Sequence, residues 1–342
     1  MSSSQANRLP ISVIVPAFNV EGYIQRTLRS VIDQEFKAIE LIVVDDGSTD
    51  GTLSRIRDVL ENVPVRHHVL RQHNQGVSAA RNRGLDVAAG EFVYFLDGDD
   101  VIEPTCLSKL YERASSHNVD AVFCGFDHVD EYGRCLRTYL DAHMYIEGVV
   151  PGRDALIMQL TQRIWIWTAS ALWRTALLRE YKIRYPEGCT LGQDQVFIMK
   201  ALLHARAVTS VREVLAHYVQ RPNSVTKVAS SSSWRTTLAA FKDLNQYFER
   251  QGADSLLTGC LRRYTIPRLV ANVVAALARE GHAWKEIHKL LINDIRALKD
   301  FRCPWKLVGT AGMRPFVKNL ALRLWPELAV ACYRFANGRD HR

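Results

Sequence analysis

The run Leu41-Ile42-Val43-Val44-Asp45-Asp46-Gly47-Ser48-Thr49-Asp50-Gly51-Thr52 decides the fold. Four apolar residues without alternation read as a strand buried on both faces, and the Asp, Gly and Ser after them stop it abruptly. Ser54 to Leu60 then reads as helical. The same unit recurs on either side. Upstream, Ile11-Ser12-Val13-Ile14-Val15 is a short β-branched run, followed by Ile24, Leu28, Val31 and Ile32 at helical spacing. Downstream, Val65 to Leu70 predicts a strand, Val77 to Ala88 a helix closed by Gly90, and Phe92 to Leu96 another strand. Repeated strand-helix units of this kind predict an α/β fold with a mostly parallel central sheet covered on both faces. In such sheets the binding crevice lies at the carboxyl ends of the strands. That rule selects the residues just after Val15, Val44 and Leu96.

The chain has 342 residues, 47% hydrophobic and 23% charged, which excludes disorder and low complexity and suggests about two domains. Seven cysteines, an odd number without a CxxC pair, indicate neither a zinc site nor a disulfide framework, and read as small core residues of a reducing compartment. Met1 to Pro10 is Ser-rich and lacks the features of a signal peptide. No run of about 18 apolar residues predicts a membrane span. The expected location is cytoplasmic, with or without peripheral contact to the inner face of a membrane. A second region, Asp120 to Arg221, mixes strands with aromatic-rich stretches and a helix over Gln193 to His204. Beyond Ser230 the pattern is helical: Trp234 to Arg250, Leu256 to Arg279 with a kink at Pro267, and Trp284 to Leu298. The formal net charge of +8 is unevenly spread. Up to residue 230 there are 25 Lys and Arg against 27 Asp and Glu, and beyond it 19 against 9.

Three acidic clusters fall where the sheet rule expects a site. In Asp45 to Asp50 the glycine permits a positive φ and the Ser, Thr and Asp side chains can cap the next helix. The cluster reads either as a capped turn or as a carboxylate placed to accept hydrogen bonds from a nucleobase. In Asp97-Gly98-Asp99-Asp100, three carboxylates in four residues repel one another unless a cation or solvent separates them. Such oxygen-rich ligation suits Mg²⁺ or Mn²⁺ completed by substrate phosphates. Asp194, after Gly192-Gln193, opens an apolar helix and can serve as a cap or as a general base. Between the first two clusters, Asn74 to Gly84 supplies Gly76, Asn82 and two arginines, Arg81 and Arg83, whose donor forks suit phosphate.

Ile11 to Asn19, Val44 to Thr52, Gly76 to Gly84 and Phe95 to Asp100, in that order and spacing, resemble the signature of family 2 glycosyltransferases with the GT-A fold, over about residues 9 to 227. The resemblance implies a transferase domain spanning 1–227 and a basic helical region, 228–342, after it. It places Pro16, Ala17, Phe18 and Asn19 against a nucleotide-sugar donor, with Asp46 reading the base. Asn74, Gly76, Arg81, Asn82 and Arg221 are expected to complete the donor site. Asp97 and Asp99 match the family's DxD, the first near the ribose and the second holding Mg²⁺ or Mn²⁺ on the diphosphate. Asp194 matches the catalytic base, and Gln193 departs from the family's usual glutamate there. Tyr218 to Lys227, with Arg221, Ser224 and Thr226, resembles the segment that closes over the diphosphate. The QxxRW motif of processive synthases is absent, so a single-transfer enzyme is implied, and attack on C1 from the opposite face by a hydroxyl that Asp194 deprotonates implies inversion. Trp167, in Ile164-Trp165-Ile166-Trp167, matches the acceptor region, and tryptophans serve both as sugar platforms and as core residues.

Residues 301–342 hold eight Lys or Arg against two acids, interleaved with Phe, Trp and Leu. Phe316, Leu320 and Leu324 predict one apolar helix face. That pattern fits contact with an anionic membrane or with a second copy of the chain, and no nucleic-acid module is legible. Two functional classes follow. The first is a transferase acting on a glycan or lipid-linked acceptor, in cell-envelope polysaccharide assembly. The other is a catalytically silent sugar-nucleotide binder, which needs Asp46 but not Asp99 and Asp194 together.

Overall fold

The computed structural model describes residues 9–221, 230–302 and 313–336, apart from the side chains of 313–316 and 334–336. The segment from Ser224 to Lys227, expected to close over the diphosphate, lies outside the described residues. Two compact units emerge, and they interleave along the chain. The first comprises residues up to 155, 164–188 and 197–222, and the second 156–163, 189–196 and the remainder.

The first unit is built on a sheet of strands β1 (Ile11–Ala17), β2 (Ile39–Asp45), β3 (Arg66–Arg71), β4 (Phe92–Phe95), β5 (Val101–Ile102), β6 (Ala121–Val129), β7 (Cys135–Thr138), β8 (Val149–Val150), β9 (Ala171–Arg174) and β10 (Val208–Val219). Their order is β3-β2-β1-β4-β9-β6-β10-β5, with β7 added to β6 and β8 to β10. The strands β3, β2, β1 and β4 run parallel, as do β6 and β10, while β9 enters antiparallel between β4 and β6. Strands β1 and β2 are buried at all seven positions, as their unalternating sequences require. Helices α1 (Ile24–Ile32), α2 (Thr52–Leu60), α3 (Val77–Val87), α4 (Cys106–His117), α5 (Gly152–Leu160), α6 (Thr175–Glu180) and α7 (Gln193–His204) connect the strands. The level register of β1 and β2, from Ile11 opposite Ile39 to Ala17 opposite Asp45, brings the loops after both strands to one edge.

The second unit is helical. Helix α8 (Ser231–Arg250) is capped by the Ser230 hydroxyl, and α9 (Ser255–Cys260) by the Asp254 carboxylate, which accepts from the amides of Leu256 and Leu257 at 2.9 and 3.1 Å. The expected kink is a π-helical turn, Leu261–Thr265, leading into α10 (Ile266–Arg279). Pro267 has no amide to give the carbonyl of Arg263, and that oxygen accepts from the Arg302 amide at 2.7 Å. The helix expected over Trp284 to Leu298 is broken. It forms α11 (Trp284–Leu290) and α12 (Arg296–Lys299) around Asn293 and Asp294, where Asp294 pairs with Lys242. Helices α13 (Met313–Leu324) and α14 (Pro326–Ala336) close the unit. Among the described side chains of α13, Asn319 and Leu322 are buried and Leu324 is 54% exposed, while Phe316, of the expected Phe316-Leu320-Leu324 face, lies outside the described side chains. Among the described residues, no helix is long and apolar enough to cross a membrane. Cys106, Cys124, Cys189 and Cys260 are buried free thiols, and Cys135 and Cys332 are exposed.

Candidate active site

Pro16 and Ala17 end β1, Phe18 is exposed beyond them, and Asn19 turns the chain with φ 50°. The Asn19 side-chain oxygen accepts from the Thr49 amide at 2.9 Å, the Asn19 amide donates to Ser48 Oγ at 3.1 Å, and the Val20 amide donates to Thr52 Oγ1 at 2.8 Å. Backbone groups that the turn exposes are thus satisfied by Ser and Thr of the neighbouring loop. The polar residues after Asp46 tie two loops together.

Asp46 is nearly buried. Its Oδ1 accepts from Gln72 Nε2 at 2.7 Å and the Gln75 amide at 2.9 Å, and its Oδ2 accepts from the Gly76 amide at 2.8 Å. This carboxylate therefore fastens the 72–76 segment, and Oδ2 keeps capacity for a further donor. Gly47 has φ +77°, and a Cβ there would meet the Asn74 amide nitrogen at 2.8 Å, so only glycine fits. Asn74 Oδ1 also accepts from the Gly76 amide, at 3.2 Å.

The third loop carries Asp97 to Asp100. A Cβ at Gly98 would meet the Pro16 carbonyl oxygen at 2.9 Å, so this glycine lets the acidic loop press against the first. Asp97 pairs with the buried Arg81, whose guanidinium lies 4.8 Å from the Tyr185 ring centroid. Asp99 pairs with Arg221, which in turn covers the ring of Tyr23. Burial, with Asp97 beside it, pushes the Asp99 carboxyl up to about 6 against the pull of Arg221. Asp100 Oδ1 accepts from the Val219 amide at 2.9 Å, and burial drives this carboxyl up as well. Two carboxylates on alternate residues are a hard-oxygen donor set that fits Mg²⁺ or Mn²⁺ with phosphate and water completing the shell. Among the described residues no group of three His, Cys, Asp or Glu side chains is arranged as a cage.

Asp46, Asp97, Asp99, Arg81 and Arg221 all belong to the first unit, whereas Gln193 and Asp194 belong to the second. Asp194 lies in the first turn of α7, where its carboxylate accepts from Gln195 Nε2 at 3.1 Å, and Gln195 is itself held by Gln159 at 2.7 Å. Asn82 spends its amide on the backbone of Tyr185, at 2.9 and 3.0 Å, and on Glu187. Trp167 is buried between Phe126 and Tyr218, with centroids 5.1 and 5.5 Å away. The sequence reading did not single out Gln72, Tyr185, Tyr23 or the roles of Asp100 and His217. His217 Nδ1 lies 2.5 Å from Asp127 and Nε2 2.8 Å from Glu103, so both nitrogens donate and the ring is held protonated, its pKa raised by Asp127 and Glu103 against burial. These partners lie far apart in sequence and carry no local signal.

Residues 12–159 match the family model for Glycosyl transferase family 2. The uncharacterized glycosyltransferase EpsJ of Bacillus subtilis is 29% identical over 296 residues, covering 83% of this chain and 84% of EpsJ. TarS of Staphylococcus aureus, a poly(ribitol-phosphate) β-N-acetylglucosaminyltransferase, is 30% identical over 265 residues, 75% of this chain and 44% of TarS. The crystal structure of its residues 1–349 with UDP-GlcNAc superposes with a TM-score of 0.65 at 22% identity, covering 97% of this chain and 93% of that one. The mannosyltransferase PcManGT of Pyrobaculum calidifontis, in complex with GDP-Man and Mn²⁺, gives 0.55 at 19% identity, over 94% and 89% of the two chains. The four ordered motifs, the strand order and these likenesses agree with that match: residues 12–159 carry a glycosyl transferase family 2 domain, on a GT-A fold.

Proposed function

We propose that this chain is an inverting, metal-dependent glycosyltransferase that moves a sugar from a UDP- or dTDP-sugar to a hydroxyl of a glycan or lipid-linked acceptor in cell-envelope polysaccharide assembly. The observation that carries the reading is the convergence of Asp97 and Asp99, each matched to an arginine, at the same sheet edge as the Asp46 loop. The spare acceptor capacity of Asp46 Oδ2 suits the imide N–H of uracil or thymine. Pro16 to Asn19, with Asn74 and Gly76, border that position, and Asn82 acts by fixing Tyr185 under Arg81. Asp97 and Asp99 would hold Mg²⁺ or Mn²⁺, which supplies positive charge to a departing diphosphate when bound. Arg81 and Arg221 add guanidinium charge to the same end of the donor.

Asp194 takes the proton of the acceptor hydroxyl as its oxygen attacks the anomeric carbon, and the bond from that carbon to the diphosphate breaks on the opposite face. The configuration therefore inverts. Gln193 and Trp167 border the acceptor. The transferase domain spans 1–227, and the basic 301–342 stretch makes peripheral membrane contact or pairs with a second copy. TarS, with its UDP-GlcNAc complex and its poly(ribitol-phosphate) acceptor, supports the choice of donor base and of envelope polymers. Asp194→Asn is expected to lower transfer by about 10²–10⁴-fold with UDP binding intact, and Asp99→Asn to lose the Mn²⁺-dependent part of UDP affinity by calorimetry. Full transfer by Asp194→Asn would overturn the assignment of the base.

A further inference from the structure

Helices α10, α13 and α14 contain Arg268, Arg279, Lys318 and Arg323 but only one acid, Glu327, which is exposed in the first turn of α14. Lys318 is mostly buried where these helices pack. Its Nζ donates to Asn272 Oδ1 at 2.7 Å and lies 5.5 Å from the centroid of the Tyr333 ring. Among the described residues it has no carboxylate partner, and the charges that act on it are those of Arg279 and Arg268. Burial and these two arginines pull its pKa down to about 8. An ammonium has three donors, and a desolvated one without a counter-charge is costly to keep.

Lys318 is also one wall of a groove of about 560 Å³ whose other walls include Val317, Ala321, Trp325, Leu328 and Tyr333. The rim is open to solvent: Trp325 is 61% and Leu328 63% exposed. Apolar walls with one convergent polar group are the usual make-up of a small-molecule site. Here the polar group is a cation with donors to spare, and Arg268 and Arg279 add positive charge to its surroundings.

We propose that this groove binds an anionic lipid, its hydrocarbon lying along Val317, Trp325 and Leu328 and its phosphate head on Lys318. Charge complementarity selects this occupant. A neutral chain would leave Lys318 unanswered, and a zwitterionic head would set a second cation against Arg268 and Arg279. The assignment is independent of the transferase chemistry, since it uses only groups of the second unit.

The test uses the full chain, with dodecyl phosphate, inorganic phosphate and dodecyltrimethylammonium as probes, read by calorimetry and by the fluorescence difference between wild type and Trp325→Phe. Flotation follows with phosphatidylcholine vesicles with and without phosphatidic acid. Dodecyl phosphate should bind and perturb Trp325, and Lys318→Met should weaken it about tenfold, the loss of one charged hydrogen bond. Leu328→Glu, at an exposed position, should also weaken it while UDP binding and thermal melting stay unchanged. Flotation should require phosphatidic acid. Equal binding by Lys318→Met, or by the cationic amphiphile, would overturn the proposal. So would inorganic phosphate binding as tightly as dodecyl phosphate, flotation on phosphatidylcholine alone, or a dimer that Leu328→Glu dissociates, which would give the groove to a second copy.

Discussion

In the first unit Asp97 faces Arg81, Asp99 faces Arg221, and Asp120 lies between Arg174 and Arg206. In the second, Lys318 faces the neutral Asn272 and has two arginines for neighbours. The members of the acidic pairs come from segments remote in sequence, so the fold supplies each charge with its partner. Among the described residues the basic helices supply none for Lys318. A buried charge with an internal partner contributes to holding its surroundings in place, whereas one without a partner is destabilising until something else neutralises it. The difference separates a pocket that is assembled before its ligand arrives from a groove whose electrostatics are completed by the ligand.

The largest expected effect is at Arg81. Arg81→Met leaves Asp97 beside Asp99 without its guanidinium, and urea unfolding should show a loss of about 3 kcal/mol, the low end for breaking a buried pair because Asp97 is partly exposed. A loss under about 1 kcal/mol would remove the contrast with the second unit. Lys318→Met should act in the opposite direction. Removing an unmatched, desolvated ammonium at neutral pH should raise stability by about 1 kcal/mol, since the loss of the Asn272 hydrogen bond offsets part of the gain. A destabilised variant would mean that the charge is answered within the chain after all.

A smaller and pH-dependent effect is expected at His217. Its pKa in the folded chain is raised above that of an unfolded histidine by Asp127 and Glu103. The stability it contributes is therefore fully present below about pH 6.5 and is lost as pH rises through the raised folded value. The charged and titratable groups around this cluster are Glu103 after β5, Asp127 and His128 on β6, and Cys135 and Arg137 on β7, while Ser30 of α1 and Gln34 just beyond that helix are neutral. Comparing wild type with His217→Gln by urea unfolding across that range should give a difference that shrinks toward alkaline pH, by about 1.4 kcal/mol for each unit of the shift. A constant difference would reduce His217 to packing.

Much of the first unit was legible because its strands are short apolar runs stopped by turn residues, and local patterns of that kind survive folding intact. Strands β1, β2 and β4 and helices α1 and α3 lie within a residue or two of where the periodicity puts them. The insertion of β9 between β4 and β6 was not legible, because antiparallel pairing across some fifty to eighty residues leaves no trace in local pattern. The same holds for the partners of Asp46 and Asn82: residue type shows that an amide or a carboxylate can bond, not that Gln72 or Tyr185 will be the group it meets. In the second unit the buried Asn319 of α13 was not legible, because it is polar and hydrophobic periodicity does not register it. The break between α11 and α12 turns on Asp294, whose pairing with Lys242 is again a contact between distant segments.

Strand β3 lies at an open end of the sheet, and five of its six residues are exposed. Arg66 and Arg71 reach inward to the buried carboxylates of Glu40 and Asp45 on β2, yet keep more than half of their own side-chain surface in water. An unprotected edge of this kind invites a strand from another molecule, which is a common route to aggregation. Here an approaching strand meets two arginines with His67 and His68 between them, so the residues that neutralise the interior also keep copies of the protein from joining edge to edge.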